Sequence, residues 1–268
     1  MAQDRLANAF TRLREDGRKA FVAYLCAGDP NLDATVECVV ALAEAGVDVV
    51  ELGFPYSDPM ADGPAIQLAC DRALKAGATV SKVLAAVRRI RERTQVPIVA
   101  FTYANPVLAY GPERFAADAA AAGVDGVLPL DLPPEEGPEI LSALRVAGLA
   151  TVCLVAPTTT QERRRLLGAA TGGFLYYICR MGTTGERADL PEDLAEQVAA
   201  LRAATSAPVC IGFGISSPEQ AAAAARQGDG VVVGSHLVRL IERHAADPAL
   251  PRLLGERAAA IAAAVHAA

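Results

Sequence analysis

Lysine is scarce in this chain: of 268 residues, only Lys19, Lys75 and Lys82 carry a side-chain amine. Lys19 precedes the first apolar strand and the other two fall in helical stretches. None stands at the C-terminal end of a strand, which argues against Schiff-base chemistry. Histidine is as rare: His236, His244 and His266 have no zinc-ligand spacing, which argues against a zinc-dependent reaction. The six cysteines, at 26, 38, 70, 153, 179 and 210, include no C-x-x-C pair and read as small hydrophobes in a reduced interior. A positive charge excess is also missing. The net charge of -6 argues against a nucleic-acid backbone as partner, while leaving room for a small anion at a local positive site. No run reaches the ~18 apolar residues of a membrane helix. The N-terminal Met-Ala-Gln-Asp-Arg-Leu is charged where a signal peptide is apolar. The expectation is a complete cytoplasmic chain with no membrane partner. No Asn-Gly hairpin signal separates neighbouring strands, and Gly28-Asp29-Pro30 after the first strand is not a glycine-rich phosphate loop.

What is present is a repeating rhythm. Leu6, Phe10 and Leu13 predict an amphipathic helix over 5–16, closed by Gly17. Apolar strands follow at 20–27, 47–52, 97–103, 126–130, 151–155, 174–178, 208–212 and 230–233. Between them, helices are predicted at 32–45 (with Asn31 as N-cap), 66–76, 80–93, 112–122, 135–147, 160–170, 191–205 and 217–227. Helical residues continue from Ser235 to Arg243 and then almost to the end, interrupted near Asp247-Pro248. Consecutive parallel strands need such crossovers. Eight units predict a (β/α)8 TIM barrel as one domain over 1–268, with an extra N-terminal helix and short extra helices in the loops after strands 2 and 8. A weak repeat supports this. Ala45-Gly-Val-Asp-Val-Val and Ala122-Gly-Val-Asp-Gly-Val share a pattern that Gln227-Gly-Asp-Gly-Val shortens. In each, Gly closes a helix and Asp opens a strand. An open doubly wound sheet is the alternative.

A barrel keeps its chemistry at the C-terminal ends of its strands. Tyr24, Glu51, Asp58, Asp62, Tyr103, Asn105, Asp131 and Tyr176 collect there. Glu51 sits in an apolar strand, where a carboxyl is either a general acid/base with a raised pKa or half of an ion pair at the rim. Asp62 is either an acceptor for a substrate N–H or a solvated loop residue. A local Asx turn explains Asp58 nearly as well as a functional role. Glycine turns after strands seven (Gly212-Phe-Gly) and eight (Gly234-Ser), followed by short helices, fit the usual phosphate site of a barrel. His236 beside that turn is a ligand contact or a bystander. His244 and His266 read as solvated helix residues.

At these residues the sequence resembles the tryptophan synthase alpha subunit family. The stretch Glu-Leu-Gly-Phe-Pro-Tyr-Ser-Asp-Pro-Met-Ala-Asp-Gly-Pro (51–64) carries the likeness. So do Ala27-Gly-Asp-Pro, Tyr103-Ala-Asn-Pro, Gly182-Thr-Thr-Gly, Gly212-Phe-Gly-Ile-Ser and Gly234-Ser, in order across nearly the whole chain. The resemblance implies a barrel that cleaves indole-3-glycerol phosphate to indole and D-glyceraldehyde 3-phosphate without a metal. It implies Glu51 as acid/base, Asp62 as partner of the indole N–H, and Tyr176 and Tyr103 in the substrate pocket. Gly185, Gly214, Gly234 and Ser235 would hold the phosphate. The loop 181–189 would close as a lid, with Thr184 meeting Asp62. It also implies an α2β2 heterotetramer with a beta subunit facing the loops 54–61 and 104–110. Pyridoxal phosphate would belong to that partner, with no cofactor in this chain. A stand-alone lyase that releases free indole, and a silent barrel that only activates a beta subunit, are the alternatives. The sequence departs from the family pattern at Ala23, Cys179, the short turn 227–230 and His236.

Overall fold

The computed structural model describes residues 4–179, 190–212 and 214–268. Among these, the strands are β1 (Ala20–Cys26), β2 (Val49–Gly53), β3 (Ile98–Thr102), β4 (Gly126–Pro129), β5 (Ala150–Thr151), β6 (Cys153–Val155), β7 (Leu175–Ile178), β8 (Val209–Gly212) and β9 (Gly230–Val233). They form one parallel sheet in the order β5-β4-β3-β2-β1-β9-β8-β7-β6. Its two end strands are consecutive in the chain, separated only by Val152. The Val152 N–H still donates to the Val127 carbonyl at 2.9 Å, whereas Cys153 is already in register with Leu175 of β7. The predicted strand 151–155 is therefore one barrel strand bent in two, and the bend carries the ring around. The TIM barrel is present, and the open-sheet alternative falls.

The helices are α1 (Arg5–Glu15), α2 (Leu32–Glu44), α3 (Pro64–Lys75), α4 (Val80–Arg91), α5 (Ala104–Tyr110), α6 (Pro112–Ala122), α7 (Pro138–Val146), α8 (Gln161–Ala170), α9 (Leu194–Arg202), α10 (Pro218–Ala225), α11 (Ser235–Arg243) and α12 (Leu250–His266). Asn31 caps α2 as predicted, accepting from the Ala34 N–H at 2.8 Å. The extra helices after strands 2 and 8 are α3 and α11. A third, α5 after β3, is not expected from the sequence. Its N-terminus is held from a distance, with the Ala104 N–H donating to Asp131 Oδ1 at 2.7 Å. Asp131 thus has a capping role at the start of α5.

Side chains alternate across each strand. Phe21, Ala23, Leu25, Val50, Leu52, Ile98 and Ala100 pack outward against the helices. Val22, Tyr24, Cys26, Val49, Val99, Phe101, Leu128 and Phe174 share an inner cluster with Leu6, Phe10 and Leu13 of α1. The N-terminal helix thus plugs the bottom of the barrel, with Phe10 and Phe174 rings 5.6 Å apart. All six cysteines are buried thiols.

The repeat has a physical meaning here. Asp48, Asp125 and Asp229 each exchange two hydrogen bonds with the start of a neighbouring strand. The Phe21, Ile98 and Val209 N–H groups donate to these carboxylates at 2.8, 2.8 and 2.9 Å. The aspartate N–H groups donate back to the carbonyls of the same three residues at 2.9, 2.9 and 2.8 Å. Each Asp therefore pins two strands at the bottom rim. Asp125 also pairs with Arg5 and Arg91, at 2.8 and 2.6 Å. Asp48 accepts from His266 Nε2 at 2.8 Å. His266 is therefore part of the rim and not the solvated residue expected.

Candidate active site

The alternation that buries Val50 and Leu52 outward turns Glu51 inward, on the face it shares with Val49. Glu51 lies beside Tyr24 in register and is 1% exposed. Its Oε1 has no hydrogen-bond partner among the described residues. No ion pair to it forms among the described residues. Burial alone pushes its pKa up to about 8.

Asp62 arrives from another direction. The loop from 54 to 63 folds back over the barrel mouth and is pinned to the end of β3. Tyr103 is the pin: its hydroxyl donates to Asp62 Oδ2 at 2.8 Å and accepts from the Ala61 N–H at 3.2 Å. Gln67 Nε2 donates to the Asp62 carbonyl at 2.8 Å, and Asn105 Nδ2 to the Tyr56 hydroxyl at 3.0 Å. Asp62 is 3% exposed, so it is no solvated loop residue. Burial raises its pKa to about 6, and the Tyr103 hydrogen bond holds it back from rising further. Asp58 remains exposed and meets its neighbour Ser57, in keeping with a local turn.

Two tyrosines complete the mouth. Burial raises the Tyr24 and Tyr176 hydroxyls well above their ordinary range, and both feel the charges of Glu51 and Asp62. Each ring leans over a glycine on the next strand. A Cβ at Gly53 would strike the Tyr24 ring, and one at Gly212 the Tyr176 ring. The glycine turns follow β8 and β9, and Gly234 lies against Tyr24. Gly214 has φ +78, in the left-handed region that favours glycine. Ser217 caps α10 by accepting from Gln220 N–H, whereas α11 starts at Ser235 with no side-chain cap on Gly234. The first N–H groups of α11 are thus left without a cap from Gly234, which suits an anion.

The profile of the tryptophan synthase alpha chain matches residues 10–258. A Geobacter sulfurreducens protein of that name is 52% identical over 242 residues, spanning 90% of this chain and 92% of that protein. The chain belongs to the tryptophan synthase alpha chain family. A solved structure of Mycobacterium tuberculosis tryptophan synthase is 40% identical, with TM-score 0.90 and coverage of 98% of both chains. The alpha subunit from Legionella pneumophila str. Paris is 35% identical with TM-score 0.88, covering 98% of this chain and 99% of that one.

In this alpha chain Glu51, Asp62, Tyr103 and Tyr176 converge at the mouth, with Gly214, Gly234 and Ser235 on the β8 and β9 side. Thr184, Gly185 and the loop 181–189 lie outside the described residues. The three lysines stay away from the site: Lys19 Nζ donates to the Gly228 carbonyl, Lys82 Nζ to that of Gly77, and Lys75 pairs with Asp71. Sequence reading missed the hydrogen bond between Tyr103 and Asp62, because no local pattern links positions 41 residues apart. It also missed Asp29, which is 1% exposed and takes a two-pronged hydrogen bond from Arg72 at 2.8 Å. That pair ties the end of β1 to α3.

Proposed function

We propose that this protein cleaves indole-3-glycerol phosphate to indole and D-glyceraldehyde 3-phosphate, with Glu51 as proton carrier and Asp62 as anionic anchor. Membership of a tryptophan-biosynthetic family whose alpha reaction is a carbon–carbon lyase reaction sets the class. The observation that carries the assignment is the buried carboxyl of Glu51, with one oxygen unpartnered among the described residues and a pKa raised by burial to about 8. At neutral pH it holds a proton to give. It protonates the indole ring at C3, and positive charge develops on the ring nitrogen. The Asp62 carboxylate accepts the N–H hydrogen bond and strengthens it as that charge grows. Glu51, now a carboxylate, takes the proton of the glycerol hydroxyl next to the ring. The C–C bond breaks, its electron pair returns to the ring, and the hydroxyl carbon becomes the aldehyde. Glu51 ends protonated, as it began.

The uncapped start of α11 and the Gly214 turn support a phosphate at that end of the substrate, held by Gly214, Gly234 and Ser235; the family resemblance adds Gly185 to that set and pairs Thr184 with Asp62. Tyr176 and Tyr103 line the mouth. The partner is a beta subunit, in an α2β2 assembly in the cytoplasm. Met60 and Leu108, 87% and 52% exposed on the loops after β2 and β3, give that face apolar contacts to offer. Pyridoxal phosphate belongs to the partner; the placement of Lys19, Lys75 and Lys82 leaves this chain no amine at its mouth. The test is indole release by the purified protein with and without a beta subunit. Slow release alone and faster release with the partner is the expected result. Fast release without stimulation supports a stand-alone lyase, and no release in either case a silent barrel.

A further inference from the structure

The glycine turns that frame the anion end come from separate loops, after β8 and after β9. The two strands are paired as far as Gly212 and Val232, and beyond that register the strand ladder no longer ties the two turns to each other. One side chain outside the barrel touches both. Arg257, on α12, donates from Nε to His236 Nε2 at 2.7 Å and from Nη2 to the Ser216 carbonyl at 2.5 Å. His236 directly follows Ser235 in the first turn of α11, and Ser216 lies two residues beyond Gly214. The Ser216 peptide is also held from its other side, its N–H donating to Gln220 Oε1 at 2.9 Å. The β8 turn is thus clamped between α10 and α12, and α11 hangs on the same guanidinium.

We propose that Arg257 is the positioning residue of the phosphate end. It sets the spacing between the Gly214 turn and the Gly234–Ser235 turn without touching substrate. The planar guanidinium presents fixed N–H directions, so two acceptors bound to it have little freedom relative to each other. Backbone N–H groups from two loops must converge on one anion, and a displacement of about 1 Å is enough to weaken that convergence. His236 then has a role: it is the α11 acceptor that the clamp grips. The inference rests on the reading of these turns as the phosphate site.

The experiment uses the full chain. Steady-state cleavage of indole-3-glycerol phosphate is paired with calorimetric binding of sn-glycerol 3-phosphate. In Arg257→Ala, KM and the Kd of sn-glycerol 3-phosphate should both rise about 10-fold, while kcat stays within about 2-fold. A purely structural loss would lower kcat through the folded fraction and leave KM in place. His236→Ala keeps the Ser216 bond and should raise both constants about 3-fold. Unchanged KM and Kd in folded Arg257→Ala overturn the inference. If that variant does not fold, unchanged constants in Arg257→Lys and His236→Ala do the same. If the wild-type protein fails to bind sn-glycerol 3-phosphate, the phosphate reading itself falls.

Discussion

Glu51 and Asp62 are both buried carboxyls, yet their surroundings separate them. Glu51 has burial and nothing to oppose it, and rises to about 8. Asp62 has burial opposed by the Tyr103 hydroxyl, and stops near 6. At pH 7 one therefore keeps its proton and the other does not, which is how two carboxyls take an acid and an anion role in one site. Activity should fall on the acid side as Asp62 gains a proton, and on the alkaline side as Glu51 loses its own. Removing the Tyr103 hydroxyl removes the one influence that lowers Asp62, so its pKa moves up. The pH profile of kcat/KM in Tyr103→Phe should show the acid limb shifted to higher pH by up to about one unit, with the alkaline limb in place. An unmoved acid limb would detach Tyr103 from Asp62. That Glu51 lies within an apolar strand was legible from the sequence, because an apolar run is a local signal. The pairing of Tyr103 with Asp62 was not, because it depends on how a loop folds back across the mouth.

The strands and helices were legible wherever periodicity and glycine stops agree, as in α1, β1 and α2. Failures have physical causes. The bend at Val152 reflects a change of hydrogen-bonding neighbour from β4 to β7, which apolar content does not encode. Helix α5 depends on a cap from Asp131, well beyond any local window. The repeated Gly-Val-Asp signal was visible, but the bonds of its carboxylates to Phe21, Ile98 and Val209 appear only when strands are neighbours. The same holds for the glycines at strand ends. Gly53 and Gly212 are small because Tyr24 and Tyr176 lean over them. A methyl group forced against the Tyr24 ring makes Gly53→Ala less stable by ~1–3 kcal/mol, measured by urea denaturation. Tyr24→Leu shortens the side chain, so the double variant Gly53→Ala/Tyr24→Leu should be less destabilised than the sum of the two single changes. Strict additivity would mean that the two positions do not compete for space.

Taken as a whole, the molecule keeps its strand-pinning rim and its candidate active site at opposite ends. The bottom rim is closed by α1 and by three aspartates that each join two strands. The top holds two carboxyls with different proton affinities, and two glycine turns whose neighbours Ser216 and His236 both bind Arg257. The loops after β2 and β3 carry exposed Met60 and Leu108, so on the proposed reading the face of the chemistry is also the face offered to a partner. At the centre of the proposed mechanism is one carboxyl that gives and regains a proton. The most direct test is indole release from indole-3-glycerol phosphate by Glu51→Gln, beside substrate binding by the same variant. Glutamine keeps the shape and loses the transferable proton. Turnover should fall by at least ~10²-fold while binding persists. Turnover near that of the wild-type protein would contradict the account.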